Sequence, residues 1–216
     1  MVNNFDIISN FINVRFPNGC WDADKFWHIQ IMIRYKDNPN MVNELNTNKG
    51  NTNRSFMDVY IRDGHHLKEN EEFISRICNS VGARAYINLS PKSYKKAAKQ
   101  AGLNMIDAIC TDNWKAARTA YKSAVAKSNM EKLYLIDVDE RDERVCNYMK
   151  NLVENSKNSN DTRSNIYLTT IPTKNGFHLI CKPFNCGSVM PVISEKGLEA
   201  VEIKKDALTL LYYGGE

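Results

Sequence analysis

Two aspartates follow a strongly apolar segment in the second half of the chain. Residues 133–140 read LYLIDVDE, and side chains two positions apart in a strand point to the same face, so we expect Asp137 and Asp139 to converge at the end of a buried strand. Carboxylate oxygens held on a rigid strand are ligands that Mg²⁺ or Mn²⁺ prefers, and phosphoryl-transfer enzymes use such ions to neutralise a triphosphate. The pair indicates a metal site, with an ordinary polar strand end as the alternative.

A second group of polar residues surrounds a predicted turn. The segment TKNGFHLI, residues 173–180, places a lysine and a glycine directly before a strand histidine. Lys174 and His178 can donate hydrogen bonds to phosphate oxygens, and Gly176 lets backbone amides approach a phosphate closely. This pattern suits the triphosphate of a nucleotide. A half-buried strand histidine without a ligand is the alternative for His178.

The order of these motifs resembles that of the archaeo-eukaryotic primase superfamily, whose catalytic core is an RRM-like palm. In that family a strand ending in Asp-x-Asp or Asp-x-Glu supplies metal ligands, a turn ending in x-His contacts the incoming nucleotide, and a later strand supplies another acidic ligand. Asp137 and Asp139 match the first motif, and Lys174 to His178 match the second. In the later segment VEIKKDALTLLYY, the resemblance implies Glu202 as the third ligand, with Asp206 as the alternative.

The resemblance covers roughly Leu133 to Tyr213 and implies a nucleotidyltransferase that makes or extends nucleic-acid strands from nucleoside triphosphates. The implied catalytic residues, which would also bind Mg²⁺ or Mn²⁺, are Asp137, Asp139 and Glu202. The implied nucleotide-binding residues are Lys174, Gly176 and His178. Three alternatives stay open: a nucleic-acid-binding module without catalysis on an RRM-like core, a two-metal nuclease, and a purely structural role.

The elements that must position these residues follow from the hydrophobic periodicity. It predicts strands at residues 27–35, 56–62, 83–89, 132–138, 166–171, 177–181, 200–203 and 208–213. It predicts helices at residues 71–81 and 141–154 and two more between 93 and 127, while the polar segments 38–53 and 155–164 are predicted loops.

We expect an α+β fold in which helices pack on an RRM-like or ferredoxin-like sheet, mixed or antiparallel, with an N-terminal βαβ-type extension. The chain reads as a single domain, residues 1–216. Its N-terminal sub-region, residues 1–131, holds a hairpin, a helix, a strand and basic helices. The palm-like sub-region, residues 132–216, holds the candidate site.

The two helices predicted between residues 93 and 127 are rich in basic residues. Candidate nucleic-acid contacts are Lys95, Lys99, Lys115, Arg118 and Lys122, and candidate stacking partners for bases are Tyr94, Trp114 and Tyr121. We favour the plainer interpretation, in which the lysines solvate helix faces and the aromatic side chains belong to the core.

Composition is that of an ordinary folded protein. The 216 residues are 43% hydrophobic and 25% charged, and the net charge of +4 permits a polyanionic partner. No apolar run approaches the roughly 20 residues needed to span a bilayer, and the N-terminus does not resemble a secretory signal. Six cysteines without a CxxC pair predict free thiols. We therefore expect an intracellular, cytoplasmic protein that binds single-stranded or template-primer nucleic acid and a nucleoside triphosphate, but no membrane.

Overall fold

The computed structural model describes residues 1–17, 23–35, 37, 53–156 and 166–215. In this part of the chain, seven helices accompany nine strands in two antiparallel sheets. The strands are β1 (Val2–Asn3), β2 (Lys25–Arg34), β3 (Asn53–Ile61), β4 (Arg84–Ser93), β5 (Tyr134–Val138), β6 (Tyr167–Pro172), β7 (Phe177–Cys181), β8 (Val201–Lys204) and β9 (Leu208–Tyr213). The helices are α1 (Phe5–Arg15), α2 (Gly64–Glu69), α3 (Glu71–Val81), α4 (Tyr94–Cys110), α5 (Trp114–Ala126), α6 (Glu143–Glu154) and α7 (Cys186–Glu195).

The first sheet has the strand order β1-β9-β4-β2-β3. Strand β2 lies between β3 and β4 and is antiparallel to both. Its alternate residues Trp27, Ile29 and Ile31 are buried in the larger core cluster, whereas His28 and Gln30 point to the opposite face, beneath α5. One face of this sheet is therefore apolar, and the other carries polar side chains.

The second sheet has the strand order β6-β7-β5-β8. Along the chain its elements follow the order β5-α6-β6-β7-α7-β8. Ile136 and Leu179 point from its strands into a core cluster with Met149 of α6 and Ile193 of α7. Because side chains alternate along a strand, the neighbouring residues of β5 and β7 point to the face away from these helices.

The two sheets share one core. Leu135 and Ile180, from the helix-free face of the second sheet, belong to the same buried cluster as Ile29 and Leu211 of the first sheet. The last strand, β9, follows β8 after a short connection but pairs with β4 and β1 of the first sheet. Residues 208–213 of the palm-like sub-region therefore belong to the sheet that residues 1–131 otherwise form.

Most predicted elements are confirmed, including the hairpin of β2 and β3 and the helix at residues 71–81. Gly82 ends that helix in the left-handed conformation, at φ 60°. The sequence analysis was wrong in leaving residues 5–15, 64–69 and 186–195 without helices. In the first sheet, β3 and β4 flank β2 and do not pair with each other.

The two long predicted loops lie largely outside the described residues. The described cysteines are free thiols, as expected: Cys78, Cys110, Cys146, Cys181 and Cys186. Within the described ranges, no helix is both long enough and apolar enough to cross a bilayer.

Candidate carboxylate–histidine site

Three of the predicted site residues form a row across neighbouring strands of the second sheet. Asp137 of β5 lies directly opposite His178 of β7 on one side and Glu202 of β8 on the other. All three alternate with residues that face α6 and α7, so they lie on the helix-free face. Asp139 is exposed one residue beyond the end of β5, where its backbone N–H donates to the carbonyl of Ala200.

Both carboxylate oxygens of Asp137 have partners. His178 Nε2 lies 3.1 Å from Oδ1, and the ammonium of Lys204 lies 2.6 Å from Oδ2. The same ammonium lies 3.1 Å from a carboxylate oxygen of Glu202. Lys204, which the sequence analysis did not select, therefore sits between the two acids.

The ring of His178 is fixed from its other side. Its Nδ1 lies 2.8 Å from the hydroxyl of Thr209, a fully buried residue of β9. A hydroxyl can donate or accept, so this hydrogen bond orients the ring in either tautomer. Because Thr209 belongs to the first sheet, the two sheets together position the histidine.

The charges in this site favour an ionised Asp137. Burial alone would raise the pKa of Asp137, but the hydrogen bonds from His178 and Lys204 outweigh it and hold the pKa at about 2. Burial would lower the pKa of Lys204, yet the hydrogen bond to Asp137 and the charge of both acids raise it above its usual value. Asp137 and Lys204 are thus a charged pair at neutral pH.

Gly176 has a structural role that the sequence analysis did not foresee. A Cβ at this position would lie 1.9 Å from the carbonyl oxygen of Val138 and 2.7 Å from the amide nitrogen of Glu140. The glycine is required because the β6–β7 turn lies too close to the backbone on either side of Asp139 to leave room for a Cβ atom. The N–H of Gly176 donates to the Thr173 hydroxyl, and the nucleotide-binding role of Gly176 stays a prediction.

Lys174 and Asp206, two further residues predicted for the site, make their contacts outside this row. The carbonyl of Lys174 accepts a hydrogen bond from Arg141, and its ammonium lies 5.1 Å from the ring centre of Tyr213. Asp206, the alternative third ligand, accepts hydrogen bonds from the Asn88 side chain and the Ala207 amide instead. The register therefore favours Glu202 over Asp206 as the acid opposite Asp137.

A divalent cation can be accommodated here only if Lys204 moves. Among the described residues, no group of three or more His, Cys, Asp or Glu side chains is arranged to hold a metal ion. Asp137 and Glu202 nevertheless converge on one cationic group, the Lys204 ammonium. The Lys204 side chain is 43% exposed, and its ammonium occupies the place between the two carboxylates where a hard cation would bind.

The basic residues of α4 and α5 differ in whether they are exposed to solvent or paired with another side chain. Lys95, Lys99, Lys115 and Arg118 are exposed on α4 and α5. Lys122 instead forms an ion pair with Asp58 at 2.8 Å and a hydrogen bond with Ser55, so its ammonium already has partners within the protein.

The candidate stacking residues differ in the same way. Tyr94 stacks on Phe26 at 4.2 Å, and Tyr121 contacts the edge of Tyr60. Tyr94 is partly buried, as the plainer interpretation expects, whereas Tyr121 is 41% exposed despite its contact with Tyr60. Trp114 is 61% exposed at the start of α5.

A second histidine–aspartate–lysine cluster escaped the sequence analysis. His28 Nε2 lies 2.8 Å from one oxygen of Asp58, whose other oxygen contacts Lys122. Burial would raise the pKa of Asp58, but these two hydrogen bonds hold it at about 2. The sequence predicted that β2 and β3 pair as a hairpin. The contact among His28, Asp58 and Lys122 also depends on the register of that pair and on the packing of α5, which the sequence analysis did not predict.

Comparison of the chain with protein-family models, with curated proteins and with solved structures found no match in any of the three. The case for a function therefore lies in the geometry of the site.

Proposed function

We propose that the protein is a metal-dependent nucleotidyltransferase of primase–polymerase type, which acts on nucleic acid with nucleoside triphosphates. One observation carries this proposal: Asp137 is flanked, at the same level of the sheet, by His178 and Glu202. The three motifs that resemble the primase superfamily, which are distant in sequence, thus meet on one face. A chance match of short motifs gives no reason for them to do so.

The topology of the second sheet supports the proposal. Its β-α-β-β-α-β connectivity and its strand order are those of a ferredoxin-like, RRM-like sheet. The row of Asp137, His178 and Glu202 lies on the face of this sheet opposite α6 and α7, and the implied palm residues thus share one face.

In this proposal Asp137, Asp139 and Glu202 would hold the Mg²⁺ or Mn²⁺ ions. When bound, these ions neutralise the triphosphate and lower the pKa of the attacking 3′ hydroxyl. His178, oriented by Thr209, donates to phosphate oxygens, and Lys174 contributes a second positive charge. Lys204 leaves its position between the acids and becomes available to the phosphates.

A non-catalytic nucleic-acid-binding module is the second candidate, and one observation favours it. Lys204 already neutralises Asp137 and Glu202, as a purely structural ion pair would. A two-metal nuclease would use the same carboxylates, and its products distinguish it from a transferase.

A primer-extension assay tests these alternatives. The protein is incubated with Mn²⁺, nucleoside triphosphates and a labelled template–primer, beside Asp137→Asn and the control Asp142→Asn. Asp142 is the N-cap of α6, where asparagine caps equally well. We expect lengthened strands from the wild type and the control only.

The other outcomes are equally informative. Shortened strands that require Asp137 would replace the transferase with a nuclease. Salt-sensitive binding of single strands that Asp137→Asn leaves unchanged, without extension, would replace it with the binding module.

A further inference from the structure

A cleft of about 300 Å³ lies between α5 and the polar face of the first sheet. We name it the sheet–helix cleft. Its floor includes His28, Asn88 and Leu208 on three neighbouring strands, and Thr119 and Lys122 of α5 line its other side. The volume is at the lower end of the range for small-molecule pockets.

The floor of the cleft is unusually polar for a helix–sheet interface. His28 and Asn88 are each 6% exposed, and Lys92, which also lines the cleft, is 1% exposed. Burying polar groups lowers stability unless each finds a partner, and apolar side chains would pack the same interface without that cost. Buried polar residues that lower stability are expected where a protein binds a ligand.

Lys92 is the main reason to expect an anionic ligand. Its ammonium donates to the side-chain oxygen of Asn129, and no carboxylate among the described residues forms an ion pair with it. Burial lowers the pKa of Lys92, partly opposed by the negative charge of Asp206. An ammonium has three N–H donors, so this buried group can bind further acceptors. A negatively charged ligand would offset the electrostatic cost of its burial.

Two acidic residues lie near the cleft. Asp58 forms an ion pair with Lys122 and a hydrogen bond with His28, each at 2.8 Å. Asp206 is exposed at the rim, where the Asn88 side chain holds one of its oxygens. Lys92 and Asp206 are thus the charged cleft residues without an ion pair among the described residues, and of the two only Lys92 is buried, whereas solvent screens the charge of the exposed Asp206.

We propose that the sheet–helix cleft binds a small oxyanion, either free phosphate or the phosphoryl group of a small metabolite. Lys92 is the principal charge partner, and Lys122, whose ammonium also contacts Asp58 and Ser55, supplies a further donor.

This site is separate from the carboxylate–histidine site. Leu208 lines the cleft, whereas the next residue, Thr209, points to the opposite face of the sheet and contacts His178. The proposal therefore does not depend on the nucleotidyltransferase function.

Calorimetric titration with inorganic phosphate, without divalent ions, tests the proposal. The matched pair of variants is Lys92→Met and Lys96→Met, because Lys96 is exposed and donates to the backbone carbonyl of the same Asn129. Hydrogen bonds to charged groups contribute about 1.5–3 kcal/mol, so we expect Lys92→Met to weaken phosphate binding more than about tenfold. Lys96→Met keeps wild-type affinity.

A second variant covers the case in which Lys92→Met does not fold, as judged by circular dichroism. Thr119→Trp places a bulky side chain in the cleft from the exposed surface of α5 and leaves every charge in place. We expect it to abolish phosphate binding. A titration with adenosine monophosphate identifies the source: tighter binding than phosphate indicates a phosphorylated metabolite, and equal or weaker binding indicates free phosphate.

Any of three results would overturn the proposal. The first is that the wild type shows no heat of binding with either probe. The second and third are that folded Lys92→Met, or Thr119→Trp, binds phosphate with wild-type affinity. Asp137→Asn should bind phosphate normally; loss of binding in that variant would place the anion in the carboxylate–histidine site instead.

Discussion

Replacing Asp137 with asparagine should destabilise the protein in a way that depends on pH. The pKa of Asp137 is lowered from 3.8 to about 2, and one pKa unit corresponds to about 1.4 kcal/mol, so the ionised carboxylate stabilises the fold by about 2 kcal/mol. Its side chain is 15% exposed, so solvent screens the ion pair only in part. Because the folded pKa is depressed, this contribution is complete above about pH 4 and is lost as the pH falls towards 2.

Urea denaturation of wild type, Asp137→Asn and the control Asp142→Asn between pH 7 and pH 2.5 measures this contribution. We expect the free energies of unfolding of wild type and Asp137→Asn to differ by about 2 kcal/mol at neutral pH and to converge below pH 4. Asp58 titrates over the same range in all three proteins, so its contribution cancels. A difference that does not change with pH, or no difference at pH 7, would refute the reasoning.

Two further predictions concern the same site. Gly176→Ala should cost about 3 kcal/mol or more, because the new methyl group meets backbone atoms. Gly102→Ala, in α4 with open space around it, should stabilise by about 0.5–1 kcal/mol; similar urea midpoints for these two variants would contradict the packing argument. Lys204→Met should tighten Mn²⁺ binding, measured by calorimetry, about tenfold or more, because it removes the competing cation between two carboxylates. If Lys204→Met binds no Mn²⁺, the carboxylates are not a metal site.

Local chemistry explains why several elements were predictable. The helix at residues 71–81 has apolar residues at helical spacing and a glycine at its C-terminal end, and each signal acts within a few residues. The apolar run before Asp137 likewise predicts strand β5 without knowledge of its neighbours. The omission of α1 was avoidable, since Phe5, Ile8 and Ile12 have helical spacing and are buried together.

Helix α7, which the sequence analysis also missed, shows weaker local signals. It contains Gly187 near its start and Pro191 inside, both of which disfavour helix in a short window. It forms because Val189 and Ile193 bury against the second sheet. Tertiary packing overrides local propensity there.

The sequence by itself determined the strand that carries Asp137 and the turn that precedes His178, because hydrophobic alternation and turn formation depend on neighbours in the chain. Tertiary structure alone decided that Lys204 lies between two acids, that Thr209 orients the histidine and that His28, Asp58 and Lys122 meet. These contacts depend on sheet order, register and helix docking. They join residues 30 or more positions apart in most cases, and no local periodicity specifies which strands become neighbours.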